Sequence, residues 1–202
     1  MQLAAPAILI AARAHGETAV IARLLTEGAG VVAAYVAGGR GRQLRPVVIP
    51  GNSVVADIRA KSDSQLPFAR LELVQSRGPW LNEPLPAAAI GWVTALAAAT
   101  LPERHPYPAI YAALSALLDA VCAAPSARGW AGALVAYEVL LLRELGYGAA
   151  NTAKPQVAGL QDALAWLDRL EGPIATRLLA HTRADVMGAR VLLRERLGKM
   201  VT

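Results

Sequence analysis

The chain has 202 residues, 55% of them hydrophobic, and a formal net charge of +5, enough length for one large or two small domains with real cores. Nine Lys or Arg stand against five Asp or Glu in residues 1–80, and eleven against ten in residues 81–202, so the first part holds +4 of the +5. That asymmetry points the first segment toward a polyanion, nucleic acid or an anionic membrane surface, and away from an enzyme for acidic substrates, while the single cysteine, Cys122, excludes an internal disulfide and a CxxC zinc site.

The opening "MQLAAPAILIAARAHGE" has no basic stretch before its apolar run, so a cleaved signal peptide is not expected and the cytoplasm is. Five short segments rich in β-branched residues follow one another: "AILIAARA" (7–14), "AVIARLLT" (19–26), "VVAAYVA" (31–37), "SVVADIRAK" (53–61) and "FARLELVQS" (68–76). Glycine-containing turns separate them, and no long helix intervenes. This is the grammar of a small five-stranded barrel. Imperfect alternation in the last segment predicts a bulge near Arg70. "GPWLNEPLP" then interrupts both periodicities with its prolines.

Beyond that joint, alanine and leucine recur at helical spacing. Helices are predicted at 87–100, 107–122, 128–145, 160–169 and 173–198, with "PERHPYP" and "AAPSARG" between the first three. The uncharged run 85–101 is short for a bilayer span and rich in alanine, so it reads as a buried bundle helix. "WAGALVAYEVLLLREL" is apolar on nearly every face, which marks a central helix, and "GYG" supplies its stop. The expected architecture has two domains, a five-stranded OB-type barrel at 1–80 and an α-helical bundle at 81–202.

The chemistry narrows by elimination. "AGGRGRQ" lacks the lysine and hydroxyl of a P-loop, and its glycine spacing and the following "QLRPVVIP" do not make a dinucleotide fold. His15, His105 and His181 are the available general bases, and none stands in a recognisable nucleophile arrangement. No HExxH or EF-hand loop is present, so no metal, cofactor or catalytic residue is expected.

A groove for nucleic acid on the barrel remains. Arg40, Arg42 and Arg45 fill the loop after the third strand, Arg59 and Lys61 lie on the fourth, and Arg70 and Arg77 on or after the fifth. Tyr35, the one tyrosine of this half, reads either as a base-stacking platform or as a core residue. With so few aromatics, binding would be mainly electrostatic, salt-sensitive and weakly selective for sequence. In the last helix, Arg183, Arg190 and Arg194 fall on one strip beside Val186, Ala189, Leu193, Leu197 and Met200. The strip reads as snorkelling arginines at a bundle edge or as a receptor for an acidic, apolar peptide.

The ordered blocks "HGET…LLTEGAG…YVAGGRGR…PVVIPGN", "LPERHPYPAIYAALSALL" and "YEVLLLRELGYG" resemble the RecO family of bacterial recombination and repair mediators, over about residues 7 to 148. The resemblance implies an oligonucleotide-binding barrel followed by a helical domain. It further implies a non-enzymatic protein that binds single- and double-stranded DNA and anneals complementary strands. With the RecR partner, it would load the RecA recombinase onto DNA coated by single-strand binding protein, whose acidic tail would dock on the helical domain. Many relatives insert a four-cysteine zinc ribbon after the block matching "LGYG". Here "AANTAKPQVAGLQDAL" holds no cysteine, so metal binding does not carry over. The rival readings are a protein-interaction scaffold whose basic loop only solubilises, and a single-stranded RNA-binding barrel.

Overall fold

The structure is a computed structural model, which describes residues 2–60, 62, 65–148, 155–182 and 185–200. It forms two compact units. The first comprises residues 1–82 with 101–111, and the second 83–100 with 112–202.

In the first unit, strands β1 (Gln2–His15), β2 (Ala19–Thr26), β3 (Gly30–Val36), β4 (Ser53–Arg59) and β5 (Phe68–Gln75) close into a barrel in the order β1-β2-β3-β5-β4. This is the five-stranded, OB-type sheet expected from the sequence. Alternation sends Val20, Ala22, Leu24, Val32, Ala34, Val36, Val54, Ala56 and Ile58 into the core, because successive side chains of a strand point to opposite faces. β1 begins earlier than its apolar run predicts. Its first half pairs with β4, from Gln2↔Arg59 to Ile8↔Ser53, and its second half with β2, from Ala7↔Thr26 to His15↔Ala19. A bulge at Ile10 separates Leu9↔Leu24 from Ala11↔Arg23, and the extra residue bends the strand as it changes partner.

The predicted bulge near Arg70 lies elsewhere. Arg70 pairs regularly with Asp57, and the register slips between Leu73 and Gln75, leaving Val74 as the extra residue. Two apolar side chains there, Leu73 and Val74, are both solvent-exposed, so the local hydrophobic pattern carries no information on which residue is extra.

Residues 101–111, beyond the predicted joint, belong to the barrel unit. Arg104 donates its backbone N–H to the Val31 carbonyl at 2.8 Å, and Glu103 meets Arg23 at 2.7 Å. Gly30, at φ +68°, makes this return possible, since a Cβ there would stand 2.1 Å from the His105 carbonyl oxygen.

The helices are α1 (Pro84–Thr100), α2 (Pro108–Ala123), α3 (Ala131–Glu144), α4 (Leu160–Pro173) and α5 (Met187–Gly198). None of the described helices is long and apolar enough to cross a membrane. α1 buries Ile90, Trp92, Val93 and Leu96, as read for the 85–101 run. α3 ends as "GYG" predicts. Gly146, at φ +85°, donates to the Arg143 carbonyl and Tyr147 donates back to Leu142, the paired bonds of a Schellman stop.

The single helix predicted over 173–198 is two elements. α4 runs to Pro173 and widens into a π turn, Ile174–Leu178, before α5 starts at Met187. Proline has no N–H to give the preceding turn and its ring crowds the carbonyl four residues back.

α3 carries the only fully buried charge pair among the described residues. The Glu138 carboxylate, 0% exposed, accepts from Trp92 Nε1 at 2.8 Å and from Arg190 Nε and Nη2 at 3.1 and 2.8 Å. Arg190 Nη2 also donates to the Leu167 carbonyl at 2.7 Å. One guanidinium thus joins α3, α4 and α5, and the indole brings in α1. Burial pushes the Glu138 carboxyl above its ordinary value, against the pull of Arg190 and Trp92.

Candidate nucleic-acid interface

The arginine loop, residues 37–52, crosses one end of the barrel. Gly38 adopts φ +67°, and Gly39 lies so close to Val20 that a Cβ would meet its Cγ2 at 2.6 Å. Leu44 and Val47 pack against the barrel core and plug that end. Asn52, fully buried, holds the loop's return by donating from Nδ2 to the Pro46 and Val47 carbonyls, both at 3.0 Å.

Within this frame the three loop arginines differ. Arg40 is fastened to the β1–β2 turn: its backbone N–H donates to Thr18 at 2.9 Å, and its Nη1 donates to the carbonyls of Gly16 at 3.3 Å and Glu17 at 3.0 Å. Arg42 and Arg45 are exposed, and their guanidinium groups make no hydrogen bond or ion pair among the described residues. Arg40 and Arg45 border a cavity of about 410 Å³ with Ala14, Val20, Gly39 and Val48. The loop therefore presents one oriented cation and two exposed cations without a hydrogen-bond partner among the described residues.

The outer face of the barrel supplies the rest. Register places Arg13 opposite Ile21, Ile21 opposite Tyr35, Tyr35 opposite Phe68 and Phe68 opposite Arg59. These five residues form one row running across all five strands. Tyr35 is half-buried on this outer face, since its neighbours Ala34 and Val36 point into the core. Its ring meets Phe68 edge-on at 5.2 Å and His15 at 5.8 Å. Arg59 is exposed but already paired, with Nε and Nη2 on the Asp57 carboxylate at 3.0 and 2.7 Å. That bidentate contact holds the Asp57 carboxyl below the usual carboxylate range, with help from nearby Arg70. Arg70 is exposed one row further on, opposite Asp57.

Two predicted residues, Arg77 and Arg190, are buried and need correction, and two lie outside the described residues. Arg77 is 0% exposed. Its guanidinium donates to the Gly51 carbonyl, to Ser53 Oγ at 3.0 Å and to Gln75 Oε1 at 3.4 Å, while its backbone N–H meets Asn52 Oδ1 at 2.8 Å. It braces the foot of the loop and cannot reach a nucleic acid. Arg190, 3% exposed, is the buried partner of Glu138 and so leaves the proposed peptide strip. Residues 186, 190, 193 and 197 share the inner face of the helix, which a strip drawn beside the apolar stripe placed at its edge. Arg194 is at the surface but engaged with Asp168 at 2.9 Å. Lys61 and Arg183 lie outside the described residues.

The sequence reading missed Arg13, His15 and Phe68. Arg13 and His15 sit at the end of a strand the sequence ends at residue 14, and Phe68 reads as an ordinary apolar strand residue. Only the cross-strand register unites them.

Residues 1–77 match the family described as "Recombination protein O N terminal" and residues 83–154 the one described as "Recombination protein O C terminal". The DNA repair protein RecO of Phenylobacterium zucineum is 38% identical over 187 residues, 92% of this chain and 75% of that relative. The chain belongs to the RecO family. The RecO protein of Rhodospirillum centenum is 44% identical over 143 residues, covering 70% of this chain and 56% of that relative. For that of Caulobacter vibrioides the figures are 39% over 173 residues, 85% and 69%. The RecO family is one of DNA repair and recombination proteins, and its two matched regions divide this chain between the end of the barrel and the start of α1.

Proposed function

We propose that this RecO-family chain is a non-enzymatic DNA-binding mediator acting in the cytoplasm. The barrel holds single- and double-stranded DNA through the arginine loop and the outer-face cations, Arg13, Arg59 and Arg70. Annealing then follows from neutralising two strands' phosphates while leaving them mobile. Loading of RecA with RecR, on DNA coated by single-strand binding protein, is the role that family membership supports for the chain as a whole. The observation that carries the DNA-binding reading is the pair Arg42 and Arg45, two exposed guanidinium groups with no partner among the described residues, on a loop anchored at both ends.

The test is fluorescence anisotropy of the protein with labelled single-stranded DNA across a salt series, with annealing measured on the same preparation. Each phosphate contact contributes about 0.7 to the slope of log affinity against log salt for single strands. The Arg42→Ala/Arg45→Ala variant, which spares the anchored Arg40, is expected to lower the slope by about 1–1.5 and to weaken all sequences alike. An unchanged slope and affinity would remove the loop from the interface. Negligible affinity of the unaltered protein at low salt would favour the scaffold reading, and a preference for RNA over matched DNA the RNA-binding one.

A further inference from the structure

We propose that Phe68 and Tyr35, edged by His15, form a stacking platform for unpaired bases, which makes the barrel's outer face selective for single strands over duplex. The inference rests on the DNA-binding reading above and deepens it by naming what the site distinguishes.

The chain has one phenylalanine, and 63% of its surface is exposed. The barrel had inner positions for it. On β5 the neighbours Ala69 and Leu71 face the core, so the pleat turns Phe68 outward and forgoes the gain of burying its ring. Its place is also fixed. The Tyr35 N–H donates to the Pro67 carbonyl at 2.7 Å, closing β3 against β5 immediately beside the ring. Tyr35 stands directly opposite in register, and the rings meet at an interplanar angle of 67° with centroids 5.2 Å apart. A second edge contact, at 88°, ties Tyr35 to His15. Aromatic rings so braced lose little freedom when a base settles on them.

The surroundings identify the occupant. Arg13 and Arg59 stand at the two ends of the same row, and Arg70 follows Phe68 by two residues on the same strand face. His15 leads directly into the turn whose Gly16 and Glu17 carbonyls hold Arg40. Rings flanked by cations match a strand that offers base faces between phosphates. A duplex keeps its bases stacked inside and offers this surface only phosphate charge. Intact duplex would therefore engage the arginines without the rings, and a strand emerging from a duplex would gain the platform as it unpairs.

The test compares the full-length protein with Phe68→Ala and Phe68→Trp on three probes of equal length: a thymidine oligonucleotide, an abasic oligonucleotide and a blunt duplex. An exposed ring can be removed without opening the core. Phe68→Ala is expected to bind the thymidine strand about tenfold more weakly while matching the unaltered protein on the abasic strand and the duplex, with no change in salt slope. Phe68→Trp is expected to retain affinity for the thymidine strand. Equal affinity of Phe68→Ala and the unaltered protein for the thymidine strand overturns the platform, as does an equal loss on all three probes. Unaltered protein that binds the thymidine and abasic strands alike overturns the platform and leaves the DNA-binding reading intact. Unaltered protein that binds none of the probes at low salt overturns both.

Discussion

Replacing Arg190 by methionine isolates the cost of a buried charge. The substitution keeps an unbranched apolar chain on the inner face of α5 but removes three donations: two to Glu138, at 3.1 and 2.8 Å, and one to the Leu167 carbonyl at 2.7 Å. Glu138, 0% exposed, keeps only the Trp92 indole as a hydrogen-bond partner for its carboxylate among the described residues. Breaking a buried pair from one side costs about 3–5 kcal/mol, because the remaining charge is neither solvated nor matched. With a urea dependence of about 2 kcal/mol per molar for a domain of this size, the unfolding midpoint of the helical unit should fall by about 2 M. Trp92, Trp130 and Trp166, all in this unit, report the transition by fluorescence, with circular dichroism at helical wavelengths as the second probe. Removing both charges, in Glu138→Leu/Arg190→Met, should restore much of the loss. The residual cost is about 1–3 kcal/mol for an indole N–H left without its acceptor. An Arg190→Met midpoint within a few tenths of a molar of the unaltered protein would refute the reasoning. So would a double variant less stable than the single one.

Two further outcomes concern Arg77 and the Arg194–Asp168 pair. Arg77→Met should destabilise the barrel by about 1.5–3 kcal/mol, the range for lost charge-assisted hydrogen bonds, read by urea unfolding monitored at Trp80. Its folded form should keep the salt slope of DNA binding, since Arg77 is inside the structure; a lowered slope would return it to the interface. Asp168→Asn should show a small deficit in stability at neutral pH, under about 1 kcal/mol for so exposed a pair. The Arg194 hydrogen bond holds the Asp168 carboxyl below its ordinary value, so the pair's contribution is complete above the unfolded carboxyl's pKa of about 3.9. It is lost as pH falls through the lower folded value. Unfolding midpoints of the two proteins should therefore converge on acidification below about pH 4; a gap that widens there would contradict the assignment.

Local chemistry was sufficient for much of this protein. Period-two runs of β-branched residues between glycine turns determine the five strands, and helical spacing after "GPWLNEPLP" determines the helices, because each pattern suits only one backbone geometry. Gly146 ends α3 for a reason internal to the six residues from Leu142 to Tyr147. The basic loop is likewise visible as a loop, since glycine and proline exclude both periodicities from 38 to 50. What one dimension cannot express is pairing. Arg42, Arg45 and Arg77 look alike as letters, yet two meet solvent and the third disappears beneath Gly51 and Ser53 once β4 and β5 align. Arg190 lies on the inner face of its helix, and only the arrival of Glu138 from α3 makes a charge tolerable there. Pro173 reads as a helix start, yet it closes α4 immediately before the π turn at Ile174–Leu178. Residues 13, 21, 35, 68 and 59 become one row only when the barrel closes, because adjacency across strands is set by register and not by distance along the chain. The sequence by itself thus determined the elements and the sign of the charge, while tertiary structure decided which arginines are available and where the aromatic rings stand.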